Sequence, residues 1–318
     1  MKGYKHFLIF LLISFALSVM IYSPSYGKES IGVIYPSLFI TEELASFTQS
    51  VSYIKEKMRI NTYVVNSKPE KDALISLYKF LKKKGVRKFI IKDELKELTP
   101  FYKEVSKKDL FFSFSSSTTL LHRKNIYRVV PSYTQMIIEL KKYTEKRGSP
   151  PVYIIIEGLW DKDQKDIERV FSSYKGKWKV LPLKEIITPF GLTKKYSFED
   201  SYIFIYTTSY KKGGILVQLI ANKTKKFHII IPGNLLSPSF LALTKGLTSH
   251  VLVESDIVFK EYEDGYKNFK KLLSSEDFLT SIYDFAKTKM LYESFSSKTK
   301  KILKTPEINI WELRDYER

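Results

Sequence analysis

Residues 62–91 read TYVVNSKPEKDALISLYKFLKKKGVRKFII, and this stretch decides the fold class. The β-branched run Thr62–Val65 has the length of a strand. Ser67-x-x-Glu70 has the form of a capping box, in which a serine oxygen and a glutamate satisfy free N–H groups at a helix start. Leu74, Leu77, Tyr78 and Leu81 then recur at helical spacing, and Gly85 stops the helix as a left-handed residue can. Lys88–Ile91 is a short apolar run of the kind buried on both faces of a parallel sheet. Strand, helix and strand in that order make a βαβ unit, which calls for a parallel sheet with right-handed crossovers.

The same alternation extends both ways. Strand-like runs lie at Ile31–Tyr35, Leu110–Phe114, Val152–Ile156, Trp178–Leu183, Tyr202–Tyr206, His228–Ile231 and Val251–Val253. A second capping box, Ser132-x-x-Gln135, precedes Met136, Ile137, Leu140 and Tyr143 in a helix ending near Gly148. Further helical patterns carry Ile215, Leu216, Leu219 and Ile220, and run near Tyr266–Leu273 and Asp277–Phe295. Gly148-Ser149-Pro150-Pro151 punctuates the middle and marks a chain crossing, and Ser249–Lys260 follows the last strand of the second set. The expected fold class is therefore α/β: two Rossmann-like lobes, each with a mostly parallel sheet, joined by a hinge. Residues 28–148 and 256–300 are assigned to the first lobe, residues 149–255 and 301–318 to the second. No repeat of solenoid period occurs.

The N-terminus differs from the rest. Lys2 and Lys5 precede an uncharged apolar run, Phe7–Tyr22, and Ser25-Tyr26-Gly27 has the small-x-small form of a cleavage site. Residues 1–27 read as a secretory signal peptide, with an uncleaved N-terminal anchor as the other reading. The expected location is periplasmic or extracellular. The chain has no cysteine, which excludes thiolate metal sites, cysteine nucleophiles and a lipid-anchoring cysteine. Its 53 Lys and Arg outnumber 34 Asp and Glu, a formal charge of +19. Two of those lysines and no acid lie in residues 1–27, leaving +17 on the remainder. Such a charge attracts acidic lipids, anionic solutes or an acidic partner. Export argues against nucleic acid, and lysines scattered over solvated helix faces account for the same number.

Catalytic constellations are missing. His122, His228 and His250 are isolated, with no metal-ligand spacing. No GxSxG elbow, GxxxxGK[ST] loop or GxGxxG turn occurs, so no nucleotide cofactor is called for and the chain does not read as an enzyme. Asp161, Asp163 and Asp166 fail the EF-hand pattern at Lys165 and Asp166, and suit the acidic first turn of a helix. Glu254 and Asp256 have no neighbours in sequence that single them out for acid–base work.

Polar loops at strand ends remain. Ligands of open α/β sheets sit beyond the carboxyl ends of the strands. The run Ser113-Phe114-Ser115-Ser116-Ser117-Thr118-Thr119 offers hydroxyl and N–H donors to a carboxylate or other anion. An ordinary helix-capping Ser/Thr turn has the same composition. The candidate ligand contacts are Ser115, Ser116, Ser117, Thr118, Trp160, Thr207, Tyr210 and Asn234. Trp160 and Tyr210 either stack on a ligand or pack between lobes.

Taken in order, these segments resemble type 1 periplasmic binding proteins, in particular the leucine/isoleucine/valine-binding receptors of branched-chain amino acid ABC transporters. FFSFSSSTTLL at 111–121, KNIYRVVPSYTQMIIELKKYTEKRG at 124–148 and VYIIIE at 152–157 carry the likeness, with Arg128, Pro131, Ser132 and Gln135 at matching places. Tyr202–Pro232, Tyr262–Leu273, Ser281-Ile282-Tyr283-Asp284 and a terminal strand at Ile308–Leu313 extend it over nearly the whole mature chain. The resemblance implies capture of a small ligand by hinge closure and delivery to a membrane permease, with the Ser115–Thr118 loop holding a carboxylate. Lys92-Asp93-Glu94 replaces a Ser/Thr-containing loop of the family, and Gly233-Asn234 stands where the family has its ammonium-binding acid. Amino-acid specificity therefore does not carry over. A different reading keeps the fold without the ligand: an interaction or regulatory module of the cell envelope with a protein partner.

Overall fold

The computed structural model describes residues 30–35, 42–68, 70–92, 98–114, 124–157, 161–188, 191–192, 196–207, 209–255, 282–296 and 308–312. These residues group into two compact units, one holding Lys55–Ser115 and Leu120–Val129 with the first strand, the other Thr41–Ile54 and the chain from Val130 onward.

The first unit is built on β1 (Ser30–Tyr35), β2 (Asn61–Asn66), β3 (Lys88–Ile91), β4 (Leu110–Ser113) and β5 (Ile126–Arg128). All its strand pairs are parallel, in the order β2-β1-β3-β4-β5. After β1 comes α1 (Glu42–Met58), after β2 comes α2 (Lys71–Lys83), and α3 (Leu98–Glu104) precedes β4. The βαβ unit read from residues 62–91 is present: Leu74, Tyr78 and Leu81 of α2 pack on Val65, Phe89, Ile91 and Phe111. Its rings interlock, with Phe89 and Phe111 stacked at 5.0 Å and Phe101 edge-on to Phe111. Gly85 ends α2 at φ +84°, a conformation that a side chain disfavours.

The capping box expected at Ser67 and Glu70 is not formed. Glu70 is itself the N-cap, without a side-chain cap hydrogen bond, and the Ser67 N–H donates to the Tyr35 carbonyl at 2.9 Å. The tertiary bond to β1 holds Ser67 in the strand-end turn, which moves the helix start three residues on. The second box is formed: Ser132 Oγ accepts from the Gln135 N–H at 3.2 Å, and the Ser132 N–H donates to Gln135 Oε1 at 2.8 Å.

In the second unit α4 (Tyr133–Glu145) is followed by β6 (Val152–Ile156), α5 (Asp161–Phe171), β7 (Trp178–Pro182), α6 (Leu183–Ile186) and a small antiparallel hairpin, β8 (Ile187–Thr188) and β9 (Gly191–Leu192). Next come β10 (Ser201–Tyr206), α7 (Tyr210–Lys223), β11 (Phe227–Pro232), α8 (Pro238–Thr244), β12 (Val251–Ser255), α9 (Ile282–Ser296) and β13 (Asn309–Glu312). The sheet order is β13-β12-β11-β10-β6-β7, parallel except for β13. Although α4 precedes Gly148, its Tyr133, Met136, Ile137 and Leu140 pack on Val152, Ile154, Phe204 and Ile230 of this sheet. Tyr53 of α1 lies 5.6 Å from Phe285 of α9. No helix among the described residues is long and apolar enough to cross a membrane, and the apolar run at residues 7–22 lies outside them. The helix expected near Tyr266–Leu273 also lies outside the described residues.

The parallel strands of the two sheets have one connectivity. Counted in chain order within each unit, both run 2-1-3-4-5, with β13 added antiparallel at one edge of the second. In that order the chain steps one way from the first strand and the other way from the third. The sheet therefore has a switch point between its first and third strands, where a crevice opens beyond the carboxyl ends.

Candidate functional site

In the second unit the switch point lies between β6 and β10, and Glu157 and Thr207 immediately follow those strands. The Glu157 N–H donates to the Tyr206 carbonyl at 2.9 Å, so the two strand ends are held together. Thr207 donates its hydroxyl to Glu157 Oε2 at 2.5 Å, and Lys212 Nζ bonds Glu157 Oε1 at 2.5 Å. Thr207 Oγ1 also accepts from the Ser209 N–H, and Ser209 caps α7 by accepting from the Lys212 N–H. The carboxylate thus sits at the N-terminal end of α7, where the helix dipole and a first-turn lysine favour negative charge.

The sequence-derived contacts fare differently. Thr207 joins this cluster and is only 1% exposed. Tyr210, also 1% exposed, donates its hydroxyl to Asp284 Oδ2 at 3.2 Å. Asn234 lies in a short 3-10 turn, Gly233–Leu235, directly beyond β11. It is half-buried, and its amide makes no hydrogen bond among the described residues. Ser115, Ser116, Ser117, Thr118 and Trp160 lie outside the described residues. What the sequence reading passed over is the Glu157–Lys212 pair. The available signal was an acid directly after one apolar strand and a lysine in the first turn of the helix that follows another, β10.

In the first unit the switch point lies between β1 and β3. The Lys92 N–H donates to the Ile34 carbonyl at 3.4 Å, and the Phe114 N–H to the Ile91 carbonyl at 2.9 Å. The Lys92 ammonium lies 5.7 Å from the centre of the Phe114 ring, which puts a cation at the start of the Ser/Thr-rich run.

Glu254, next to last in β12, lies beside Pro232 in register. Both its oxygens are buried without a hydrogen bond among the described residues, and burial, with a smaller contribution from the Glu139 charge, pushes its carboxyl well above the usual 4.5. Among the described residues no group of three or more His, Asp or Glu side chains is placed to hold a metal ion.

No family model matches the sequence, and no curated protein matches it. Solved structures match its fold. An isoleucine complex of a branched-chain amino acid transporter substrate-binding protein from Streptococcus pneumoniae aligns with a TM-score of 0.61 at 11% identity, covering 87% of this chain and 86% of the other. A leucine-binding protein of Thermotoga maritima aligns at 0.57 and 12% identity, covering 84% and 81%. An ABC-transporter solute-binding protein of R. palustris in complex with benzoate aligns at 0.59 and 11%, covering 84% and 79%. The chain has the type 1 periplasmic-binding-protein fold expected from its sequence.

Proposed function

We propose that this chain, built on the type 1 periplasmic-binding-protein fold, is an exported receptor of an ABC-type uptake system. It captures a small solute by closure of two lobes and delivers it to a membrane permease. The observation that carries the reading is the pair of sheets of one connectivity, each with a switch point of the kind at which ligands of open α/β sheets bind. The solute class we favour bears a carboxylate. Lys212 and Thr207 already bind one carboxylate, that of Glu157, at the second switch point, and Ser115–Thr118 follow β4 with further hydroxyl and N–H donors. Isoleucine and benzoate, the ligands in two of the neighbouring structures, both carry that group. Asn234 supplies an amide, and Trp160 covers the ligand. The N-terminal residues 1–27 direct export.

Thermal-shift screening of the full chain against amino acids, aromatic carboxylates, fatty acids and sugars tests this. A ligand at a hundred times its dissociation constant stabilises by about 2.7 kcal/mol. A carboxylate is expected to respond, and Asn234→Ala is expected to weaken its affinity roughly ten-fold, which at the same ligand concentration cuts the stabilisation to about 1.4 kcal/mol. Silence across the panel would sink the receptor reading and favour an envelope module with a protein partner.

A further inference from the structure

The N-terminal ends of the first sheet's strands, opposite its switch point, carry a basic edge. Three turns meet at its N-terminal side: residues 83–87 before β3, 105–109 before β4, and 124–125 before β5. They are tied into one platform. The Leu110 N–H donates to the Arg87 carbonyl at 2.9 Å, and Asn125 Nδ2 donates to the carbonyls of Ser106 and Asp109 at 3.1 and 2.9 Å. At its centre Asp109 is fully buried and accepts from Tyr78 at 2.5 Å, Lys82 at 2.6 Å and Arg87 at 3.4 Å. Tyr78 Oη in turn accepts from the Ser106 N–H at 3.0 Å.

With the one acid of these turns buried and already bonded, the platform presents cations alone. Lys83, Lys84, Lys107, Lys108 and Lys124 are exposed, and none is paired with a carboxylate among the described residues. Arg87 is tied to Asp109 by one nitrogen yet keeps 64% of its side chain exposed. The corresponding edge of the second sheet is mixed: Lys175, Lys177, Lys225 and Lys226 are exposed there, but so are Glu199 and Asp200 before β10. The first platform also lacks an exposed large apolar side chain; among the described residues only Ile215, in the second unit, is one.

We infer that this platform docks the protein on an anionic lipid surface. Protein interfaces are depleted in lysine at their core and centre on aromatic or aliphatic anchors, which are missing here. A row of unpaired lysines on a rigid backbone suits a dense field of mobile anionic headgroups, where each cation adds about five-fold to affinity and the gain is lost in salt.

The test is flotation of the full chain with phosphatidylglycerol-containing vesicles and with phosphatidylcholine vesicles, at low and at physiological salt. An apolar N-terminal segment would bind both kinds equally and cancels in the comparison. Two variants of equal net charge are compared: Lys83→Glu, Lys84→Glu, Lys107→Glu and Lys108→Glu together, and Lys175→Glu, Lys177→Glu, Lys225→Glu and Lys226→Glu together. The first set is expected to lose the phosphatidylglycerol preference by more than about a hundred-fold, and the second to keep it within a few-fold. The same four platform lysines changed to Gln, with an unchanged melting temperature, guard against a folding artefact. Equal loss in both sets would reduce the effect to net charge and overturn the platform. So would a wild-type chain that ignores phosphatidylglycerol while binding polyglutamate, which would point to an acidic protein.

Discussion

Glu254 shows how one residue can carry a pH dependence. Its carboxyl is fully buried, neither oxygen is bonded among the described residues, and its proton is held well above pH 4.5, chiefly by the cost of burying the charge. The native state therefore binds more protons than the unfolded chain once pH exceeds that value. Stability contributed at this site is complete below pH 4.5 and falls as pH rises, by about 1.4 kcal/mol per unit until the folded group ionises. Glu254→Gln has the shape of the protonated acid and no charge to bury. Its melting temperature is expected to exceed wild type at pH 7.5 and to converge with it by pH 4; parallel pH profiles would contradict the assignment. Asp109 is the contrasting case, a buried acid with three donors. Tyr78 is pushed up to about 12, first by burial and then by its bond to Asp109, so the phenol stays a donor throughout the physiological range.

At the scale of an element, the two capping sequences test how far local pattern decides a helix start. Ser132 and Gln135 make both bonds of the box, while Glu70 makes neither. Ser132→Ala is expected to cost about 1 kcal/mol in chemical denaturation, and Glu70→Ala to lie within about 0.5 kcal/mol of wild type. Equal costs would mean that the caps act through something other than these bonds. The strand runs were legible because each is a short apolar block, and β3 and β6 have the bounds read from the sequence. Helix α1 was not read, although Leu44, Phe47, Val51 and Ile54 keep helical spacing and are all buried. Its Ser, Thr and Gln residues dilute that stripe. Strand β5 is three residues long, too short for any period to register.

For the whole molecule, the edge of the second sheet is the vulnerable place. Strand β13 pairs antiparallel with β12 from Leu252 to Ser255, and Ile308 and Ile310 pack on the core. Removing residues 308–318 would expose an apolar edge strand and its unpaired backbone groups, a template for aggregation. The shortened chain is expected to melt lower and to show concentration-dependent association by light scattering; a monomer of unchanged stability would mean that β13 is dispensable.

The amino-acid sequence by itself determined the alternation of strands and helices, the basic charge and the lack of cysteine, because apolar period, turn residues and composition are local quantities. It also placed Asn234 at a strand end, where its amide makes no hydrogen bond among the described residues. Only the tertiary structure decided that both sheets share one strand order, that Glu157, Thr207 and Lys212 meet at a switch point, and that Asp109 gathers three donors while Glu254 is buried with none among the described residues. Those facts depend on which strands become neighbours, and neighbours are chosen by the packing of the whole sheet, which no window of sequence contains.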